Sequence, residues 1–133
     1  MILRKKLKNL LTIIIPRHTH RINQIDELIS SMDLKTNIRS TNKRIKHDTD
    51  VYLVDTYGET KKFFNISKVA FIGGSLVKHG GQHPIEPARY KLNIIHGPNV
   101  ENFKDIYQLY NKKKIAHMVL NQNQLINLAQ KLL

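Results

Sequence analysis

Short apolar runs alternate with longer segments of helical periodicity along almost the whole chain. Strand-length runs occupy residues 12–15, 51–54, 69–72, 93–96 and 115–119, with a weaker candidate at 37–40. Helical periodicity occupies residues 22–32, 57–66, 84–90, 102–111 and 121–133. Strands that alternate with helices predict a parallel sheet, because two parallel strands need a crossover connection between them. We therefore expect an α/β fold, a Rossmann-like parallel sheet of five or six strands with helices on both faces.

Two of the predicted helices have a clear apolar face. The first presents Ile22, Ile25, Leu28, Ile29 and Met32, and the last presents Leu125, Leu128 and Leu132. The segment 41–50 is polar and charged, which predicts an exposed loop. The longest apolar run, residues 10–15, is far below the roughly 20 residues that span a bilayer.

Length and charge restrict the class of partner. A chain of 133 residues has the size of one domain, and its lack of cysteine excludes disulfides and thiolate metal sites and favours a reducing compartment. The net charge of +12 favours an anionic partner, such as a nucleotide, a nucleic acid or an acidic membrane surface. The cations are spread over several clusters rather than one stripe, so each cluster also fits an ordinary solvated surface.

The glycine-rich segments around residues 73–88 are the strongest candidates for a binding site. Gly73 and Gly74 end a predicted strand and are followed by Ser75, and Gly80-Gly81 precede a predicted helix that carries Glu86 in its first turn. Glycines let a phosphate or sugar approach the backbone, and a helix start directs N–H groups toward an anion. Glu86 can accept hydrogen bonds from ribose hydroxyls. This pattern predicts a nucleotide-sugar site, although glycine pairs also serve ordinary tight turns.

Other polar residues are weaker candidates. Arg17 follows the first strand and can bind a phosphate with two parallel hydrogen bonds, or can be an ordinary surface arginine. His18 and His20 alternate in sequence without an acidic partner, and a glycine pair interrupts the histidine pair at 79 and 83, so neither pair predicts a metal site. Asp55 and Glu59 lie across a strand-to-helix turn, which does not predict a paired-carboxylate catalytic site. Ser75 has no neighbouring base that would make it a nucleophile.

Six ordered motifs resemble one known family, the 3-deoxy-D-manno-octulosonic acid (Kdo) transferases. In chain order they are Pro16-Arg17-His18 with Arg21, Tyr57-Gly58-Glu59, Phe71-Ile72-Gly73-Gly74-Ser75-Leu76-Val77, Gly80-Gly81, Pro84-Ile85-Glu86-Pro87-Ala88, and Gly97-Pro98 with Asn102-Phe103. The likeness runs from about residue 11 to the end. It implies that residues 11–133 are the C-terminal CMP-Kdo binding domain, one half of a GT-B glycosyltransferase, and that residues 1–10 are the basic remnant of a preceding helix.

The resemblance also implies an activity and a location. Such enzymes transfer Kdo from CMP-Kdo to the lipid A precursor lipid IVA in lipopolysaccharide synthesis, at the cytoplasmic face of the inner membrane of Gram-negative bacteria. By matching position, the CMP part would be held by Arg17, Gly73, Gly74, Ser75 and Glu86, with Asn102 near the same crevice. The resemblance implies no metal and no cofactor. It assigns the acceptor lipid and the glutamate general base to an N-terminal domain, so no catalytic residue is expected in these 133 residues.

Two departures and one gap separate the chain from the family pattern. Family members typically have Glu in place of His20 and His-Asn in place of Gln82-His83. No N-terminal domain is recognised, so we expect no transferase activity from this chain alone. The chain can be one part of a split enzyme with a separate N-terminal half, or a decayed remnant. Two alternatives stay open. The first is a small basic nucleic-acid-binding module, which is disfavoured because the sequence shows no recognition helix and no stacking platform. The second is the donor half of another GT-B nucleotide-sugar enzyme.

Overall fold

The computed structural model describes residue 7 and residues 9–133. Most of the segment 1–10, for which a helix remnant is expected, lies outside the described residues. The chain divides into two compact units, Met1–Thr60 and Lys61–Leu133. Within the described ranges, no helix combines the length and apolar character needed to cross a membrane.

The first unit contains a three-stranded parallel sheet. Its elements in chain order are β1 (Thr12–Ile14), α1 (Ile22–Ser30), β2 (Thr36–Ile38) and β3 (Val51–Leu53), with single turns of 3-10 helix at Thr19–Arg21 and Arg39–Thr41. The strand order is β1-β3-β2, and Val51 pairs with Thr12 on one side and Thr36 on the other. The central strand is therefore the most buried of the three.

The core of the first unit follows from the apolar periodicity of α1. Ile22 and Ile29 are buried and pack against Val51 and Leu53 of the sheet. Leu28, predicted on the same face, is 58% exposed, because its position lies at the margin of the helix surface that meets the sheet. The sequence therefore predicts the centre of this face correctly and its width less well.

The second unit also contains a three-stranded parallel sheet, with a different strand order. Its elements are β4 (Val69–Phe71), α3 (Ile85–Arg89), β5 (Asn93–His96), α4 (Lys104–Lys112), β6 (Ala116–Met118) and α5 (Gln122–Leu132), with a 3-10 turn at Glu101–Phe103. The remaining helix, α2 (Thr60–Ile66), begins at the last residue of the first unit. The strand order is β4-β5-β6, all parallel, and α3 and α4 connect the successive strands of this sheet. The predicted α/β class and the parallel strands are confirmed, but the six strands in the described part of the chain form two three-stranded sheets rather than one sheet of five or six strands.

The five α-helices among the described residues each differ from the predicted bounds by one to three residues at one or both ends. α2 starts three residues later than the periodicity suggests, because Gly58 has a φ of +76°, which a right-handed helix does not allow. In α5 the buried residues are Ile126 and Ala129, while Leu125, Leu128 and Leu132 are half-buried around them. The buried face of α5 is therefore centred one residue later in the sequence than predicted.

Candidate functional site

The segment after β4 folds into a closed loop whose shape depends on glycine. Gly74, Gly80 and Gly81 have φ values of +69°, +80° and +69°. The N–H of Gly81 donates to the carbonyl oxygen of Gly74 at 3.2 Å, which joins the two predicted glycine pairs. Gly73 differs from them, since its φ is ordinary and an added Cβ would meet no atom within 4 Å. The structure thus brings both glycine pairs together and leaves open space beside the first.

Ser75 fixes the end of β4 to the turn after β5. Its side chain is fully buried, and its hydroxyl donates to Ile72 O at 2.5 Å and accepts from Gly97 N at 2.8 Å. Its carbonyl oxygen accepts from the backbone N–H and the side-chain amide of Asn99, at 2.9 and 3.1 Å. The hydroxyl is directed inward, so a direct contact between Ser75 and a ligand stays a prediction. The structure gives Ser75 a positioning role.

Gly97 allows this close approach of two loops. An added Cβ would lie 2.6 Å from Leu76 N, and closer still to the Ser75 carbonyl group. These are backbone atoms, which cannot move aside as a flexible side chain can. The family motif Gly97-Pro98 therefore has a structural reason: its glycine lets the loops at the carboxyl ends of β4 and β5 touch. Ligands of open parallel sheets bind at such strand ends.

The second glycine pair is held from the side of α4. Asn102 donates its backbone N–H to Gly80 O at 3.3 Å, and its side chain lies where a Cβ on Gly80 would be, 2.7 Å from Asn102 Cγ. The buried Tyr107 donates its hydroxyl to Gln82 O at 2.6 Å. Burial raises the pKa of Tyr107, so the phenol stays protonated and keeps donating. Asn102, predicted near the crevice, is thus in contact with the glycine loop, and Tyr107 is a supporting residue that the sequence analysis missed.

Glu86 lies in the first turn of α3, as the sequence predicts. Its side chain is exposed, and within the described ranges it has no hydrogen bond or ion pair. The helix has only five residues, so its dipole contributes less than a long helix would. Buried Pro84 and Pro87 fix its position against the unit. The carboxylate is therefore free to accept hydrogen bonds from a ligand.

His83 has a role that the sequence analysis did not foresee. Its Nδ1 accepts a hydrogen bond from Ile85 N at 3.3 Å, and its ring lies edge-on to Phe103 at 4.7 Å between centroids. The N-cap residue of α3, Pro84, supplies no side-chain hydrogen bond, so His83 supplies one to the first residue of the helix instead.

A second histidine, His96, is buried at the carboxyl end of β5. Its Nδ1 lies 2.6 Å from Gly97 O and its Nε2 lies 3.0 Å from Asn111 Oδ1. Its ring packs on Tyr107 with 4.5 Å between centroids. The only sequence signal was a polar residue that follows two apolar residues of the strand and immediately precedes glycine. His96 stabilises the turn that carries Gly97.

The other predicted residues lie in the first unit. Arg17 follows β1 with an exposed side chain, which has no hydrogen bond or ion pair in the part of the chain that is described. It is therefore available to an anion. His18 and His20 are both exposed, with ring centroids 5.6 Å apart. Across residue 7 and residues 9–133 no group of three or more histidine, cysteine, aspartate or glutamate side chains is placed to hold a metal ion.

The carboxylates after β3 are engaged by the polypeptide itself. Glu59 receives two hydrogen bonds of 3.0 Å from Arg39, from Nε and Nη2, and a further one from the Thr56 hydroxyl. The bond to Glu59 is the main reason that the pKa of Arg39 is raised. Asp55 accepts from the backbone N–H and the hydroxyl of Ser40. Each carboxylate thus has its own partner, which agrees with the expectation that the two form no catalytic pair.

Comparison with known proteins identifies the family. No protein-family model matches the chain. The chain is 40% identical over 104 residues to a 3-deoxy-D-manno-octulosonic acid transferase of Haemophilus influenzae, covering 78% of the chain and 24% of that enzyme. It is 34% identical over 131 residues to the enzyme of the same name from Rickettsia bellii, covering 98% of the chain and 31% of that enzyme. The chain therefore spans between a quarter and a third of these relatives.

A solved structure gives the same result. The C-terminal CMP-Kdo binding domain of WaaA from Acinetobacter baumannii superposes with a TM-score of 0.91 at 28% sequence identity, over 96% of this chain and 67% of that one. Sequence and structure comparisons therefore agree with the resemblance carried by the six motifs. The chain belongs to the Kdo transferase family and corresponds to the domain that is C-terminal in WaaA.

Proposed function

We propose that this chain is the donor-binding half of a Kdo transferase and that it binds CMP-Kdo at the glycine loops of the second unit. The observation that carries the proposal is the likeness to the CMP-Kdo binding domain of WaaA over nearly the whole chain. A fold match alone would not carry it, because one fold hosts many functions. The identity of 28% and the ordered motifs supply the additional support.

The geometry of the loops supports binding of a phosphate. The open space beside Gly73 lets an anion reach the backbone, and the adjacent Gly74 adopts a left-handed conformation that costs glycine no strain. Glu86, which is exposed, accepts hydrogen bonds from the ribose hydroxyls in this proposal. Asn102 holds Gly80 in place. Arg17 lies in the first unit, and its role as a phosphate ligand stays a prediction from the family resemblance.

The rest of the reaction belongs to the proposal as well. The acceptor is a lipid A precursor, the general base comes from an N-terminal half, and the protein works in the cytoplasm at the inner face of the cell membrane. The net charge of +12 supports contact with an anionic membrane. We expect these 133 residues to show no transfer alone and to gain it when co-expressed with a family N-terminal half. If the chain binds the donor but co-expression with the N-terminal half gives no transfer, the result would favour a decayed remnant over one part of a split enzyme.

Donor binding is testable without activity. In a ¹H–¹⁵N spectrum of the full chain, CMP should shift the amides of Gly73, Gly74 and Glu86, and UDP should shift them less. Glu86→Gln should weaken the response at least several-fold, while Glu101→Gln, which removes another exposed carboxylate from the same unit, should leave it unchanged. The absence of any response at millimolar CMP would refute the proposal. Equal responses to UDP would assign the site to a different nucleotide sugar.

A further inference from the structure

A cationic loop in the first unit forms a concave surface, and none of its residues has been given a role above. Lys43, Arg44, Ile45, Lys46 and His47, here called the basic loop, are all exposed. They line an open hollow of about 600 Å³. An adjoining hollow of about 190 Å³ shares three of these residues and adds Leu10 and Leu11. The surface therefore combines cations with apolar side chains.

The backbone of the basic loop is held in place. Asn37 in β2 donates its side-chain amide to the carbonyl oxygens of Lys43 and Arg44, at 3.5 and 3.3 Å. At the other end, buried Thr49 accepts from Lys46 N at 3.2 Å and donates its N–H to Lys46 O at 3.1 Å. The cations thus project from a fixed backbone, which lowers the entropic cost of binding a ligand.

The charges of the basic loop are available. Within the described ranges, Lys43, Arg44 and Lys46 form no ion pair or side-chain hydrogen bond. The nearest carboxylate in sequence, Asp48, is paired with Lys35 at 2.5 Å, and its pKa is lowered mainly by that hydrogen bond, with a small contribution from Lys46. Because Lys35 engages this carboxylate, the three cations of the loop are left to act on an external anion.

The exposed apolar side chain distinguishes among anionic partners. Ile45 is 41% exposed between cations on both sides. A bilayer surface offers phosphates to the cations and an acyl boundary to the isoleucine. Single-stranded nucleic acid is bound by aromatic stacking together with cations, and among the described residues no phenylalanine, tyrosine or tryptophan lines either hollow. The chemistry therefore favours a lipid surface.

We propose that the basic loop docks the protein on an anionic phospholipid bilayer, with Lys43, Arg44 and Lys46 on the headgroup phosphates and Ile45 in the acyl boundary. This inference shares with the proposed function only the location at a membrane. It concerns a different unit from the glycine loops, so the loss of vesicle binding and the loss of CMP binding are separate outcomes.

The test is co-sedimentation of the full chain with vesicles of phosphatidylglycerol and phosphatidylcholine, compared with vesicles of phosphatidylcholine alone. The triple variant Lys43→Gln, Arg44→Gln, Lys46→Gln should lower the partition coefficient about 5-fold per cation, or about 100-fold in total. The control triple variant Lys112→Gln, Lys113→Gln, Lys114→Gln removes the same charge from another exposed cluster. It should bind far better than the loop variant. Both variants should keep the CMP response of the unmodified chain.

The isoleucine is tested separately. Ile45→Ser should weaken binding to anionic vesicles severalfold, and Leu120→Ser, at a side chain that is 59% exposed, should not. Equal losses in the two triple variants would show unspecific attraction and overturn the proposal. The proposal would also be overturned if inorganic phosphate shifted the Ile45 amide signal as much as vesicles do. That result would indicate that the basic loop binds a soluble anion. Loss of oligonucleotide binding in the loop variant with vesicle binding intact would assign the surface to nucleic acid instead.

Discussion

Ser75→Ala tests whether the contact between the two loops stabilises the second unit. The substitution removes the hydroxyl that accepts from Gly97 N at 2.8 Å and donates to Ile72 O at 2.5 Å. Gly97 is buried, so its N–H loses its partner without gaining water. Leaving a buried donor unpaired costs about 1–3 kcal/mol, which is a large part of the 5–15 kcal/mol typical of a folded domain.

The measurement is urea unfolding of the variant and of a matched control. Ser67→Ala also removes a serine hydroxyl, but one that is half-buried and donates a single hydrogen bond to Phe63 O at 2.7 Å. We expect the control to lose less than about 1 kcal/mol of unfolding free energy. We also expect Ser75→Ala to bind CMP at least severalfold more weakly, because the hydrogen bond that holds the loop after β4 against the loop after β5 is lost.

Two results would refute this reasoning. If Ser75→Ala and Ser67→Ala unfold at the same urea concentration, the contact with Gly97 does not stabilise the unit. If Ser75→Ala is destabilised while its affinity for CMP is unchanged, the contact does not position the binding loops. A corroborating variant is Gly97→Ala, whose Cβ would overlap the Ser75 backbone and should cost about 1–3 kcal/mol by overpacking.

Three further predictions concern the same unit. Gly80→Ala should lower the unfolding free energy by about 1 kcal/mol or more, because its φ is +80°, whereas Gly73→Ala should unfold like the unmodified chain and lose CMP affinity. Tyr107→Phe should cost about 1 kcal/mol in urea unfolding, because Gln82 O loses its donor. Burial raises the pKa of Tyr107 in the folded chain above the 10.0 of a free tyrosine. The contribution of Tyr107 to the unfolding free energy is therefore present below pH 10.0 and is lost as the pH rises further. Tyr107→Phe should consequently lose less unfolding free energy at alkaline pH than the unmodified chain does. Glu86→Gln should leave the urea midpoint unchanged while reducing CMP affinity.

Each of these predictions has a contrary outcome. Equal stability of Gly80→Ala and Gly73→Ala would mean that the left-handed conformation is not required. An alkaline unfolding profile of Tyr107→Phe that matches the unmodified chain would show that this phenol does not titrate on unfolding. A Glu86→Gln variant that binds CMP normally would remove Glu86 from the proposed site.

The strands and helices were predictable because burial imposes a period on the sequence. β5 is an example, since it is buried from Ile94 to His96 and its predicted bounds coincide with those of the structure. The start of α2 was less predictable, because it depends on the backbone conformation of Gly58 rather than on apolar spacing. The shifted face of α5 has a similar cause, since the buried Ala129 carries little hydrophobic signal.

The candidate site was predictable in its glycines and not in its supporting residues. A glycine pair after a buried strand indicates a loop of special shape, whatever the rest of the chain does. The inward direction of the Ser75 hydroxyl depends on Gly97, 22 positions away, which only the folded chain brings near. Tyr107 and His96 were missed for the same reason, because Gln82 O and the Asn111 side-chain amide lie 25 and 15 positions away from them.

The imidazole of His83 makes two contacts at the start of α3. Its Nδ1 accepts from Ile85 N, and its ring meets Phe103 edge-on, with 4.7 Å between centroids. An asparagine at this position could accept the hydrogen bond but could not make the ring contact. The histidine therefore tethers the turn that carries Glu86 to the 3-10 turn at Glu101–Phe103.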